Sequence, residues 1–327
     1  MFPIDDNSFE QNGGEIFRRR LAELKLSPTF RIFTAEELDR ATDSYSESRI
    51  IGPGSNTDSI VYKGLLPAAA DNAHHHPIVA IKKWVSFSGH NIDQFISELI
   101  SLSEHPADKH IVRILGAGCD ETPLPLVVYE YMPNGTLHHH IHELYGSLSW
   151  EDRLRIATVT AEALACLHSA IPNPQFHRGV KAKDILFDEG MVPKVSDFGA
   201  RLMMVGCFTF LRIKKDRDGY LDPEFSNFSG RTVEKGDVYS FGVVMAELLT
   251  GELPVSVEKG ELGKRFREGV AAGRLLEMLE GRVREEAAGK GKVVEAVAEM
   301  ARRCLMVSGE ERPTLREVAE ELRTFAT

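Results

Sequence analysis

No apolar run in this chain approaches the ~18 residues that a membrane span needs. The longest candidate, FGVVMAELL, is short and broken by Glu247. Positive charge is also in deficit. Lys and Arg number 39 against 49 Asp and Glu, a net charge of −10, so there is no bulk attraction for nucleic acid or anionic lipid. Cysteines are few. Cys119, Cys166, Cys207 and Cys304 form no C-x-x-C pair, which argues for thiols in a reducing compartment rather than a disulfide scaffold. At least three of them are expected to be buried small hydrophobes. The opening MFPIDDNSFE has no apolar signal core, and Phe2 stands where N-myristoylation requires glycine. No internal repeat is present. These absences together predict a cytoplasmic protein without a transmembrane segment.

What is there divides by pattern. Residues 1–30 are polar, then basic at FRRRLAEL, and read as a partly disordered leader. Residues 31–49 read as an N-terminal helical extension. In it, Thr34 and Glu37 form a capping box for a helix running to about Ala41. Residues 50–132 are mostly strand-like: SIVYKGLL, IVAIKKWV, IVRILGAG and PLVVYEYM are β-branched runs bounded by Gly, Pro and Asp. One amphipathic helix interrupts them at NIDQFISELISLS. Residues 133–327 are mainly helical. WEDRLRIATVTAEALACLHS is amphipathic, GDVYSFGVVMAELLTG stops on Gly251, a stripe runs through Val293, Val297, Met300 and Cys304, and Thr314 with Glu317 opens a last helix. A small strand-rich part followed by a larger helical part predicts an α+β fold of two lobes with a cleft. Two histidine clusters, His74–His76 and His138–His140 with His142, read as solvated loop or helix end, with a metal site as the alternative.

The chemistry-bearing residues come in a fixed order. Gly52 and Gly54 follow a strand start, where a Gly-rich turn lets backbone N–H groups approach phosphate oxygens. Lys82 ends a buried strand and needs a partner, because an unpaired buried ammonium is costly; Glu98 on the next helix is available. HRGVKAKD and KVSDFGA follow, and Asp197 at a strand end before a glycine suits a metal ion. GYLDPEF, KGDVYSFGVV and ERPT complete the series.

The ordered series resembles the eukaryotic protein-kinase set from about Ile50 onward. FTAEELDRAT, YKGLLP, YEYMPNGTL and DVYSFGVVMAELLTG are similar to plant receptor-like kinases of the wall-associated branch. The resemblance implies a bilobal eukaryotic protein-kinase fold, with a small β-rich N-lobe and a large α-helical C-lobe. It implies ATP and Mg2+ as ligands. Lys82 would hold the α and β phosphates, oriented by Glu98. Asp197 would ligate magnesium, and Asp184 takes the place of the asparagine that holds a second metal. Lys181 matches the loop lysine that neutralises the moving phosphate. Val61, Ala80 and Leu186 would enclose the adenine, with Glu130, Tyr131 and Met132 as hinge and Tyr129 as gatekeeper. Glu224 and Arg312 would pair, and Asp237 would brace the loop at 177–184.

Three departures bear on activity. Gly179 replaces the aspartate that orients and deprotonates the substrate hydroxyl. General-base help is worth roughly 10²–10⁴ in rate, about 3–5 kcal/mol of barrier. Asp216 and Arg217 replace the Gly-Thr that relatives carry before the Gly-Tyr, and Thr57 stands at the third glycine of the Gly-rich loop, with Pro53 stiffening its turn. Between Asp197 and Tyr220 the sole hydroxyl is Thr209. The expectation is a signalling adaptor, a pseudokinase of plant immune or receptor signalling that retains ATP binding as an option. Its partners would be proteins, an intracellular immune receptor or an active kinase, and not nucleic acid. Its place would be the cytoplasm, or the plasma-membrane periphery through those partners. The alternative is a Ser/Thr kinase of low activity.

Overall fold

The structure, a computed structural model, describes residues 30–54, 59–67, 77–84, 99, 109–119, 125–144, 146–170, 174–197, 219–226, 230–286 and 289–325. The described residues fall into two compact units, one ending at Pro133 and the other beginning at Asn134.

The first unit is built on a six-stranded sheet. Its strands are β1 (Arg31–Phe33), β2 (Ile50–Pro53), β3 (Ser59–Leu65), β4 (Ile78–Trp84), β5 (Ile114–Cys119) and β6 (Pro125–Glu130), in the order β1-β5-β6-β4-β3-β2. All neighbours are antiparallel except β1 with β5. In β4, Val79 and Ile81 are buried while Ile78 and Ala80 are not, the alternation of a pleated strand with one face in the core; beyond Ile81 the pattern breaks, with Lys82 and Trp84 buried on the other face. β1 opens the segment expected to be a helical extension. It adds to the sheet because Gly116 lets the two backbones close: a Cβ there would lie 1.9 Å from the Arg31 carbonyl oxygen. Helix α1 (Ala35–Ala41) follows, with the capping box in place: Glu37 N–H donates to Thr34 Oγ1 at 3.2 Å, and Thr34 N–H donates to Glu37 Oε2 at 3.0 Å. Leu38 and Ala41 then pack with Phe33, Val79, Ile81, Leu126 and Val128 in one core. Of the helix expected at NIDQFISELISLS only Leu99 is described, helical and buried.

The second unit is helical. Helix α2 (Leu137–His142) is capped by Thr136, and α3 (Trp150–His168) by a box of Ser149 and Asp152. Strands β7 (Ile185–Phe187) and β8 (Pro193–Val195) form a hairpin, whose turn is held by Asp188 Oδ1 accepting the Gly190 and Val192 N–H groups at 2.9 Å. Helix α4 (Gly230–Thr250) is buried on every side from Asp237 to Thr250 and forms the centre of the unit. It ends at Gly251, whose φ of +66° suits glycine. After strands β9 (Val255–Ser256) and β10 (Gly260–Glu261) come α5 (Leu262–Ala271), α6 (Leu275–Met278), α7 (Gly281–Glu286), α8 (Gly291–Cys304) and α9 (Leu315–Phe325). α8 packs on α4, and α9 packs on α3. The buried face of α8 carries Val294, Val297, Met300 and Cys304, so Val294 rather than Val293 begins the stripe. Burial pushes the Cys304 thiol up to about 12. Cys166 is exposed, against the expectation of burial, while Cys207 lies outside the described residues.

Candidate active site

Each candidate on the first unit sits where the sheet puts it. Lys82 lies in β4 opposite Val61 of β3 and Val127 of β6. Its side chain is buried, with Nζ 5.1 Å from the Trp84 ring centroid, a cation–π distance. Its expected partner Glu98 lies outside the described residues. Ala80 sits between Lys63 and Tyr129 in neighbouring strands. Glu130 closes β6 by two bonds to Arg113: its N–H donates to the Arg113 carbonyl at 3.0 Å, and its Oε1 accepts the Arg113 N–H at 2.9 Å. Tyr131 carries Lys63 Nζ 4.9 Å from its ring centroid, and Met132 is buried. The two glycines differ. A Cβ on Gly52 would meet nothing within 4 Å, whereas one on Gly54 would stand 2.0 Å from Ser59 Oγ and 3.2 Å from Lys82 Cε. Gly54 therefore serves close packing against Ser59 and the Lys82 stem. Thr57 lies outside the described residues.

On the second unit, the loop from His177 to Asp184 is organised by one carboxylate. Asp237, at the buried heart of α4, accepts the backbone N–H groups of His177 at 2.8 Å, Arg178 at 2.6 Å and Gly179 at 3.0 Å, and His168 Nε2–H at 3.0 Å. Burial works to raise the Asp237 carboxyl, but the His168 hydrogen bond and charge, His177 and the loop N–H groups outweigh it and hold it below the usual range. Arg178 and Asp197 adopt φ of +71° and +66°, and Gly179 a φ of +125°. The last is a region that side chains rarely enter, so the loop at Gly179 takes a glycine conformation as well as lacking a carboxylate.

Ser196, the neighbour of Asp197 in the chain, is hydrogen-bonded to Asp184. Ser196 N–H and Oγ–H donate to the Asp184 carbonyl at 2.8 and 3.0 Å, and His177 Nε2–H donates to the Ser196 carbonyl at 2.8 Å. Asp184 Oδ2 also accepts the Lys181 N–H at 3.0 Å, and its side chain is buried. The Ser196 bonds hold the backbone of Asp184, just before β7, beside that of Ser196, just after β8 and next to Asp197. Leu186 lies half-buried in β7, bridged to Thr136.

One pairing differs from expectation. Arg312 gives its two terminal nitrogens to Asp222, at 2.6 and 2.7 Å, while Glu224 stands 4.0 Å away and accepts the Gly309 N–H at 2.6 Å. Asp222 is buried and Glu224 half-exposed, so the desolvated guanidinium goes to the better-buried carboxylate. Sequence reasoning also missed His168 and Ser196. His168 lies 69 residues from Asp237, beyond any local pattern.

Residues 46–322 match the model of the protein tyrosine and serine/threonine kinase family, so the chain belongs to that family. Its β-sheet N-lobe and helical C-lobe are the kinase fold. Within the family it is similar to wall-associated receptor kinases 4 and 3 of Arabidopsis thaliana, at 41% and 42% identity over 325 residues. Each alignment covers 97% of this chain and 42% of the relative, so the chain spans about two fifths of the length of these relatives. Among solved structures it is similar to the pseudokinase domain of BIR2, an immune regulator of the RLK/Pelle family. The TM-score is 0.70 at 27% identity, covering 95% of this chain and 93% of that one. No helix among the described residues is long and apolar enough to cross a membrane.

Proposed function

We propose that this chain is a catalytically impaired kinase-fold protein that acts by binding other proteins, as a signalling adaptor in plant immune or receptor signalling. The observation that carries the reading is Gly179. The position of the catalytic base has no side chain, and its backbone φ of +125° is one that favours glycine. The surrounding scaffold is retained, since Asp237 still anchors the loop through three backbone N–H groups. The pseudokinase neighbour and the wall-associated relatives support a protein partner, an intracellular immune receptor or an active kinase, at a cytoplasmic site.

Nucleotide binding is compatible with this role. Lys82, Val61, Ala80, Tyr129, Glu130, Tyr131 and Met132 on the sheet, with Leu186 on β7, are the residues that would contact ATP. Asp184 and Asp197 would hold Mg2+, which when bound neutralises phosphate charge. Lys181, in the same loop, would lie on the side of the transferred phosphate.

The test is a phosphotransfer assay with magnesium and with manganese, run beside a nucleotide-dependent thermal shift. Turnover of about 10⁻⁴–1 s⁻¹ is expected, about once a minute in the middle of that range, from a kinase range of about 1–100 s⁻¹ less a base contribution of roughly 10²–10⁴. Robust turnover that disappears in Lys82→Met would overturn the adaptor reading. The buried Asp184, tied through Ser196 to the segment that carries Asp197, and the burial of Lys82 favour a second reading, a Ser/Thr kinase of low activity. Under that reading Gly179→Asp raises turnover by orders of magnitude, since only the base is missing; no gain would locate the block in the activation segment or the Gly-rich loop.

A further inference from the structure

The histidines of α2 do not form the solvated helix end expected from their sequence. His140 is buried, with its Nε2–H donated to the Asn134 carbonyl at 2.8 Å and its ring edge-on to Phe187 at 5.0 Å. His139 points away and pairs with exposed Glu143 at 2.8 Å. His138 and His142 lie four residues apart on one helical face, their ring centroids 4.7 Å apart. Facing them from α4 is Glu247, whose carboxylate is fully buried. His142 Nε2–H donates to Glu247 Oε1 at 2.9 Å, and Tyr220 Oη–H donates to Glu247 Oε2 at 2.5 Å. One ligating atom from each of His138, His142 and Glu247 lies within 4.8 Å of the others.

We propose that His138, His142 and Glu247 form a Zn2+ site that clips α2 to α4 in the helical unit. Two imidazoles and one carboxylate are a zinc donor set, with a fourth position left open for water or a partner's side chain. Neighbouring ligands of a tetrahedral zinc, bound at about 2.0–2.2 Å, stand roughly 3.3 Å apart. The His142–Glu247 pair is therefore already near that spacing, and the metal takes the place of the bridging proton, which moves to His142 Nδ1 from a neutral imidazole or leaves to solvent from an imidazolium. His138 closes the remaining gap by rotating its half-buried ring. Burial first, and the neighbouring His142 and Lys183 next, lower His138 to about 4, so its ring keeps a lone pair near neutrality. Tyr220 acts on the second carboxylate oxygen as the outer partner that fixes the ligand's orientation. The same donors disfavour Mg2+ and Ca2+, which take oxygen ligands, so this site and the Asp184–Asp197 pair sort metals by chemistry.

The experiment titrates Zn2+ into the full chain against a fluorescent zinc chelator, with Mg2+ in excess, and repeats the titration with Co2+ read in the visible range. One zinc per chain and Co2+ bands of a four- or five-coordinate ion are expected. His138→Ala, with its fold checked by circular dichroism, should bind zinc about tenfold more weakly or worse, since even the outer partners of a ligand are worth about 10–100-fold. His138→Cys, which restores a zinc-binding side chain, should recover the affinity. His139→Ala and a variant with His74, His75 and His76 all changed to Ala should bind as the parent does. The proposal is overturned if the parent binds no zinc against Mg2+. It is equally overturned if His138→Ala binds like the parent, or if the His74–His76 variant is the one that loses the metal.

Discussion

The loop from His177 to Asp184 and the contact between α2 and α4 are both anchored on the same buried helix, by Asp237 and Glu247. They have opposite endowments. The loop keeps a backbone scaffold, three N–H groups on Asp237, and has no side chain at position 179. The α2–α4 contact gathers two imidazoles and a carboxylate whose ligating atoms lie within 4.8 Å of one another. The difference teaches that scaffold and chemistry are held by different atoms: backbone donors keep the loop's shape when its reactive group is gone, and side chains supply ligands without altering the helices that carry them.

The largest effect should come from removing the scaffold itself. Asp237→Ala leaves three loop N–H groups and His168 without their acceptor, and should cost about 3–5 kcal/mol, the range for breaking a buried charged network. A fall in thermal midpoint, with faster amide exchange at His177, Arg178 and Gly179, is the measurement. A pH dependence accompanies it. The Asp237 carboxyl is held below its ordinary value of 3.8, so its contribution is complete above about that pH and is lost as pH falls through the folded value. Asp237→Asn should flatten that acid limb of the stability curve.

A middling effect is expected in the sheet, where backbone closeness alone makes the contact. Gly116→Ala sets a Cβ against the Arg31 carbonyl and should cost about 1–3 kcal/mol by overpacking. Exchange protection should fall at Arg31, Ile32 and Phe33 while β3 and β4 keep theirs. Loss across the whole sheet would show that β1 is not a separable addition.

Gly179→Ala sharpens the comparison at the loop. A side chain at a φ of +125° should cost about 1–3 kcal/mol of strain. Gly179→Asp should show the same loss in chemical denaturation. A variant as stable as the parent would mean that the loop is not shaped for glycine. The smallest effect belongs to a local feature: Thr314→Ala, which removes the cap of α9, should cost about 1 kcal/mol by the same measurement.

Much of this was legible in the chain. β-Branched runs bounded by Gly, Pro and Asp read β3, β4 and β6, with β5 beginning only at Ile114, and the Thr34–Glu37 and Thr314–Glu317 boxes marked two helix starts, since a cap depends on residues three apart. β1 was not legible. Three residues carry no periodicity, and their pairing rests on what Gly116 and Gly118 lack, some 85 residues away. The ordered motifs named the family.

The sequence by itself determined the kinase family, the strands β3, β4 and β6, the capped starts of two helices, and the glycine at position 179, because each is written in local composition, in spacing or in the identity of a single residue. Tertiary structure alone decided the long-range partners. Asp222 rather than Glu224 takes Arg312, His168 joins Asp237, and Glu247 meets His142 across 105 residues. The physical reason is that a buried charge or ring pairs with whatever donor the packing of helices delivers within about 3 Å. That distance is set by how whole elements sit together, and no local pattern encodes it.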